Sequence, residues 1–91
     1  MTNVPMTYST PDYAYVSGEI TVTGGMIIFA DLKEKGMVII RRKTDEGWQR
    51  VFTPEDYAEH FEIRITHSEE TEDIIQICAS DEPKNIRYAD I

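Results

Sequence analysis

At 91 residues the chain has room for one hydrophobic core. A domain of that size buries only about 60–65% of its unfolded surface, which leaves little material for a deep catalytic cleft. A composition of 41% hydrophobic and 29% charged residues excludes wholesale disorder, and a single cysteine excludes an internal disulfide. Seventeen acidic residues against nine basic ones give a net charge of -8, which repels nucleic acid and anionic membrane and argues against direct binding to either.

Residues 1–12 hold Pro5 and Pro11 among Thr, Ser and Asn without a period, and read as an irregular or extended arm. With neither a basic and apolar leader nor a run of about 18 apolar residues, the expected location is the cytoplasm. From Tyr13 to Thr23 a β-branched and aromatic run predicts a strand, bulged near Gly18. Gly24-Gly25 then carries the two-residue signal of a tight hairpin, leading into Met26-Ile27-Ile28-Phe29-Ala30. Met37 to Lys43 predicts a third strand. The turn Thr44-Asp45-Glu46-Gly47 sends it back through Trp48 to Phe52, with Lys43 opposite Trp48, Arg41 opposite Arg50, Ile40 opposite Val51 and Ile39 opposite Phe52.

Thr53-Pro54-Glu55-Asp56 has the features of a helix start: an N-cap threonine, a proline in the first turn and two carboxylates at the positive end of the dipole. Tyr57 and Phe61, four apart, give that short helix an apolar side, with Glu55, Glu59 and Glu62 on its wet side. Phe61, Ile63 and Ile65 then alternate as a strand, Ser68 to Asp73 is an acidic loop, and Ile74 to Cys78 is another strand. Ile86-Arg87-Tyr88 fits an edge strand or a surface segment. The expected fold is an α+β domain over residues 13–91: a small, curled antiparallel sheet of five to six strands, made of a meander of four, a short helix packed on the sheet and two further strands.

Catalytic and cofactor signals are missing from this pattern. No G-x-S-x-G turn is present, and Cys78, between Ile77 and Ala79, reads as a small buried hydrophobe rather than a nucleophile served by His60 or His67. Asp56 and His60 stand four apart on the predicted helix, but two ligands do not make a metal site. The segment Ser68 to Asp73 lacks the spacing and central glycine of a calcium loop, and no glycine-rich turn precedes the helix start to cradle a phosphate. No enzyme activity, metal or cofactor is expected.

Charge is unevenly distributed along the chain. Lys33 to Arg50 holds six basic and three acidic residues, whereas Glu55 to Glu82 holds ten acidic and one basic. The basic-aromatic cluster Arg41, Lys43, Trp48 and Arg50 has three readings: neutralised by the acidic half, bound to a protein partner, or bound to nucleic acid with Trp48 as a stacking platform. Glu55, Asp56, Glu59, Glu62, Glu69, Glu70, Glu72 and Asp73 form either a solvated face or a row of carboxylates suited to a basic surface.

Gly36-Met37-Val38-Ile39-Ile40, the turn Asp45-Glu46-Gly47 and Pro54-Glu55-Asp56-Tyr57-Ala58-Glu59-His60-Phe61 resemble the PGDYG-type domain of small tailed-phage and prophage proteins. Gly36-Met37 stands where that family has Gly-Asp-Trp or Gly-Asp-Tyr. The resemblance implies a phage or mobile-element origin and brings no catalytic residues. Small acidic proteins of such elements include inhibitors of host defences of the anti-CRISPR and anti-restriction kinds. The leading expectation is therefore a stoichiometric inhibitor, acting in the host cytoplasm, whose acidic face engages a host protein or nucleoprotein complex with a basic surface. The alternative is a phage structural or assembly module, monomer or homodimer, that self-associates through a strand edge, with Tyr8, Tyr13 and Tyr15 as contacts.

Overall fold

Strand-forming alternation runs through nearly the whole chain, and in the computed structural model, which describes residues 1–66 and 72–91, it becomes ten strands and no helix among those residues. They are β1 (Thr2–Asn3), β2 (Met6–Ser9), β3 (Ala14–Ser17), β4 (Ile20–Thr23), β5 (Gly25–Gly36), β6 (Val38–Thr44), β7 (Gly47–Phe52), β8 (Ala58–Thr66), β9 (Glu72–Ala79) and β10 (Pro83–Asp90). One sheet has the order β1-β10-β5-β8, and the other has β2-β3-β9-β6-β7 with β4 also paired to β9. Every pairing is antiparallel.

The two sheets share one buried cluster. The first contributes Met26, Ile28, Ala30, Leu32, Ile63 and Ile86, and the second Ile20, Val22, Val38, Ile40, Ile75, Ile77 and Ala79. Along β5 these inward residues alternate with half-buried Ile27, Phe29 and Asp31, the period of two that a strand imposes. Each fully buried Ile, Leu or Met contributes about 1.5–3 kcal/mol relative to exposure.

The α+β expectation is overturned: the protein is all-β, and the helix predicted after Thr53 does not form. Residues 53–57 are irregular, and Ala58–Thr66 is a strand hydrogen-bonded to β5. A short helix there would have buried only Tyr57, Ala58 and Phe61, too little to offset its nucleation cost. The period-two pattern of Phe61, Ile63 and Ile65 instead gives β5 a partner on its open side, and Tyr57 is left exposed.

The meander of four is corrected as well. Gly24-Gly25 is a corner between sheets, because β4 pairs with β9 whereas β5 pairs with β8 and β10. Only Gly24 of the two has positive φ, at 79°, while a type I′ hairpin requires it at both positions. The apolar run of β5 takes the centre of a sheet, where it is flanked on both sides. Residues 1–12 supply β1 and β2, paired with β10 and β3, and Ile86-Arg87-Tyr88 lies within β10, between β1 and β5. The β6–β7 hairpin forms with Arg41 opposite Arg50 and Lys43 opposite Trp48, but a bulge moves Phe52 opposite Ile40 in place of Val51.

Candidate functional site

Period-two geometry places Arg41, Lys43, Trp48 and Arg50 on the outer face of the second sheet, because cross-strand partners share a face. Arg41 donates from Nε to Gln76 Oε1 at 2.8 Å, with a second guanidinium nitrogen on the same oxygen, and a third reaches Asp12 Oδ1 at 3.3 Å. Its guanidinium also lies 5.1 Å from the centroid of the Trp48 ring. Gln76 in turn donates to the Ser17 carbonyl at 2.7 Å. Lys43 pairs with Glu19 at 2.9 Å, and the neighbouring Arg42 approaches Asp73 at 3.7 Å. The hydrogen bond from Ser9 and then the Arg41 guanidinium hold the Asp12 carboxyl below its usual range.

Both carboxylates that pair with this outer-face cluster, Asp12 and Glu19, come from the first twenty residues, whereas Asp73, from the acidic second half, meets Arg42, which alternates to the opposite face. Arg50 is exposed and, among the described residues, has no acidic partner, unlike Arg41, Arg42, Arg64 and Arg87.

Among the described residues the predicted acidic residues do not form one face. Glu55 and Asp56 lie exposed in the irregular segment before β8. Glu59 and Glu62, placed side by side by the helix expectation, sit three apart on a strand and so on opposite faces of it. Glu72 and Asp73 open β9, where Glu72 is opposite Thr23 while Thr66, at the far end of β8, is opposite Gly25. Most of the length of β8, roughly 23 Å from Glu59 to Thr66, thus lies between the Glu55–Glu59 group and the end of the strand near Glu72 and Asp73. Glu69 and Glu70, like His67 and most of the predicted acidic loop, lie outside the described residues. Among the described residues Glu55, Asp56 and Glu59 make no ion pair, and Glu62 has only Arg64, 3.9 Å away.

A second polar cluster was not foreseen from the sequence. On the outer face of the first sheet, Asp31 receives Arg87 at 2.9 Å and contacts His60 Nδ1 at 2.8 Å, while Arg87 lies over Phe29 at 5.2 Å. Hydrogen bonding to His60, then to Arg87, holds the Asp31 carboxyl below its usual value. His60 therefore faces a residue 29 positions away rather than Asp56 as a helical neighbour. Only strand register brings Asp31, His60 and Arg87 together, so no local spacing announced them.

Among the described residues no group of three His, Cys, Asp or Glu side chains is placed to hold a metal ion. Cys78 is buried in the second sheet, and burial pushes its thiol pKa up, away from the thiolate form a nucleophile requires. His60 belongs to the other sheet. Tyr8 and Tyr13 are exposed, and Tyr15 meets Tyr8 edge to face at 5.2 Å. No helix among the described residues is long and apolar enough to cross a membrane.

β7 and β8 each end a sheet. Between them opens a cleft of about 220 Å³ walled by Val51, Phe52, Ile63, Ile65 and Ile75, with Arg42 and Arg64 among its polar lining. Compared with known proteins, the chain matches no family model, no curated protein and no solved structure.

Proposed function

We propose that the protein is a non-enzymatic, stoichiometric protein-binding module, and that its contact surface is the acidic segment leading into β8. The observation that carries this reading is a local concentration of uncompensated charge: the carboxylates of Asp12, Glu19, Asp31 and Glu82 are each engaged by a cation within 3.3 Å, whereas Glu55, Asp56 and Glu59 stand exposed beside a terminal strand and, among the described residues, without an ion pair. Among those residues Glu34, Asp45 and Glu46 are likewise exposed without one, but no three of these fall within five residues. Uncompensated carboxylates grouped in five residues attract a basic surface, speed encounter and make binding salt-sensitive. The finer part of the proposal is that the partner is a host protein or nucleoprotein complex and that the module inhibits it from within the host cytoplasm. It rests on the class of small acidic proteins of phages and mobile elements, the origin that the resemblance over residues 36–61 implies, and not on a functional motif.

The test is capture of a partner from host lysate by the tagged full chain, repeated with Glu55→Gln, Asp56→Asn, Glu59→Gln and Glu62→Gln combined. Capture that falls with the neutralised variant and with salt raised towards about 0.5 M supports the reading. Capture indifferent to both removes it. A second reading, self-association, is favoured by the presence of two terminal strands of six and nine residues. Light scattering decides it: a stable oligomer indifferent to the same substitutions would replace the acidic-surface account.

A further inference from the structure

The edge of β7 combines features that the acidic segment does not explain. It is a terminal strand whose outward residues are Trp48, 39% exposed, and Arg50, the arginine without an acidic partner among the described residues. The bulge leaves Val51 as an extra residue, 46% exposed, at the mouth of the apolar cleft walled by Phe52, Ile63 and Ile65. Outer-face cation and inner-side cleft thus flank the same unpaired backbone edge.

Successive residues of an added strand point to opposite faces. A segment laid along Gly47–Arg50 would therefore present one side chain to Arg50 and Trp48 and its neighbours to the cleft. We infer that β7 is a docking edge for an extended protein segment carrying a carboxylate between apolar residues, the carboxylate meeting Arg50 and an apolar side chain entering the cleft beside Val51. Aromatic and arginine side chains around a desolvating pocket are the usual anchors of such contacts, and edge pairing adds main-chain hydrogen bonds. The segment carries one carboxylate rather than several because the chain's net charge of -8 repels a multiply acidic strand, while a single charge held against Arg50 gains a charge-assisted hydrogen bond. The bulge limits the paired stretch to the residues before Val51, so the motif is short.

Trp48 is the only tryptophan and reports on this edge directly. The full chain is titrated with acetyl-Thr-Val-Glu-Val-Thr-amide and with the same peptide carrying Gln or Lys in place of Glu, and Trp48 emission is followed. Expected is a saturable shift with the Glu peptide and at least about tenfold weaker binding of the Gln and Lys peptides. Arg50→Glu should lose the Glu peptide by a similar factor, and Val51→Asp should weaken all three. The circular dichroism of each variant establishes that it is folded. The combined Glu55, Asp56, Glu59 and Glu62 substitutions should leave peptide binding in place, so failure here is distinct from failure of the acidic-segment reading. No shift at millimolar peptide, or equal binding of the three peptides, overturns the inference. A mass that rises with protein concentration in the parent but not in Arg50→Glu would assign the edge to a second copy and overturn it too.

Discussion

Arg41 and Arg50 face each other directly across β6 and β7, yet among the described residues only Arg41 has an acidic partner: its guanidinium turns to Asp12, Gln76 and the Trp48 ring. Two like charges at directly opposed positions would repel. Here Gln76 holds one of them through two guanidinium nitrogens and is itself anchored to the Ser17 carbonyl. Gln76→Ala should therefore cost about 1–3 kcal/mol, whereas Arg50→Gln should stay within about 0.5 kcal/mol. Urea unfolding of the two variants measures both.

Ser17 is the buried polar side chain of the described core, 2% exposed. Its hydroxyl accepts from the Ile77 amide at 2.9 Å and donates to the Gly18 carbonyl at 2.8 Å, joining the end of β3 to the middle of β9. Ser17→Ala leaves a buried amide without its acceptor, and a loss of about 1–3 kcal/mol is expected. Amide exchange at Ile77 should rise in the same variant.

The β6–β7 hairpin was legible because its turn residues and flanking alternation act locally: Thr44 Oγ1 accepts the Glu46 amide and donates to the Gly47 carbonyl. Its bulge was not legible, since nothing in Arg50-Val51-Phe52 marks the extra residue. Thr53 to Phe61 misled for a physical reason. Cap residues and the Tyr57 to Phe61 spacing are local preferences of a few tenths to about 1 kcal/mol, and pairing along β5 outweighs them. The basic cluster was visible as a group, but its neutralisation by Asp12 and Glu19 depends on contacts 29 and 24 residues apart, beyond any local pattern.

Asp31 makes acid stability testable. Its folded pKa is depressed by His60 and Arg87, so its contribution is present above the unfolded value near 4 and is lost as pH falls through the folded value. His60→Ala removes the largest cause and should raise the Asp31 carboxyl titration, seen by carbon NMR. Asp31→Asn should flatten the fall in stability below about pH 4 relative to the parent.

Gly36 is fixed by close approach rather than by backbone conformation. A Cβ there would lie 2.8 Å from Ser80 Oγ and closer still to the Asp81 carboxylate. That hydroxyl accepts the Met37 amide at 2.8 Å, so Gly36→Ala displaces a contact between the end of β5 and the turn before β10. A cost of about 1–3 kcal/mol is expected, and adding Asp81→Ala should recover part of it. Thermal unfolding of the single and double variants provides the comparison.

The acidic segment leading into β8 is the surface on which the functional account rests, and backbone amide chemical shifts test it residue by residue. With a captured partner added to the isotopically labelled chain, the account predicts changes concentrated in residues 53–62 that shrink as salt is raised. Changes confined to Glu72 and Asp73, or to the β2–β3 hairpin, with residues 53–62 unmoved, would contradict it.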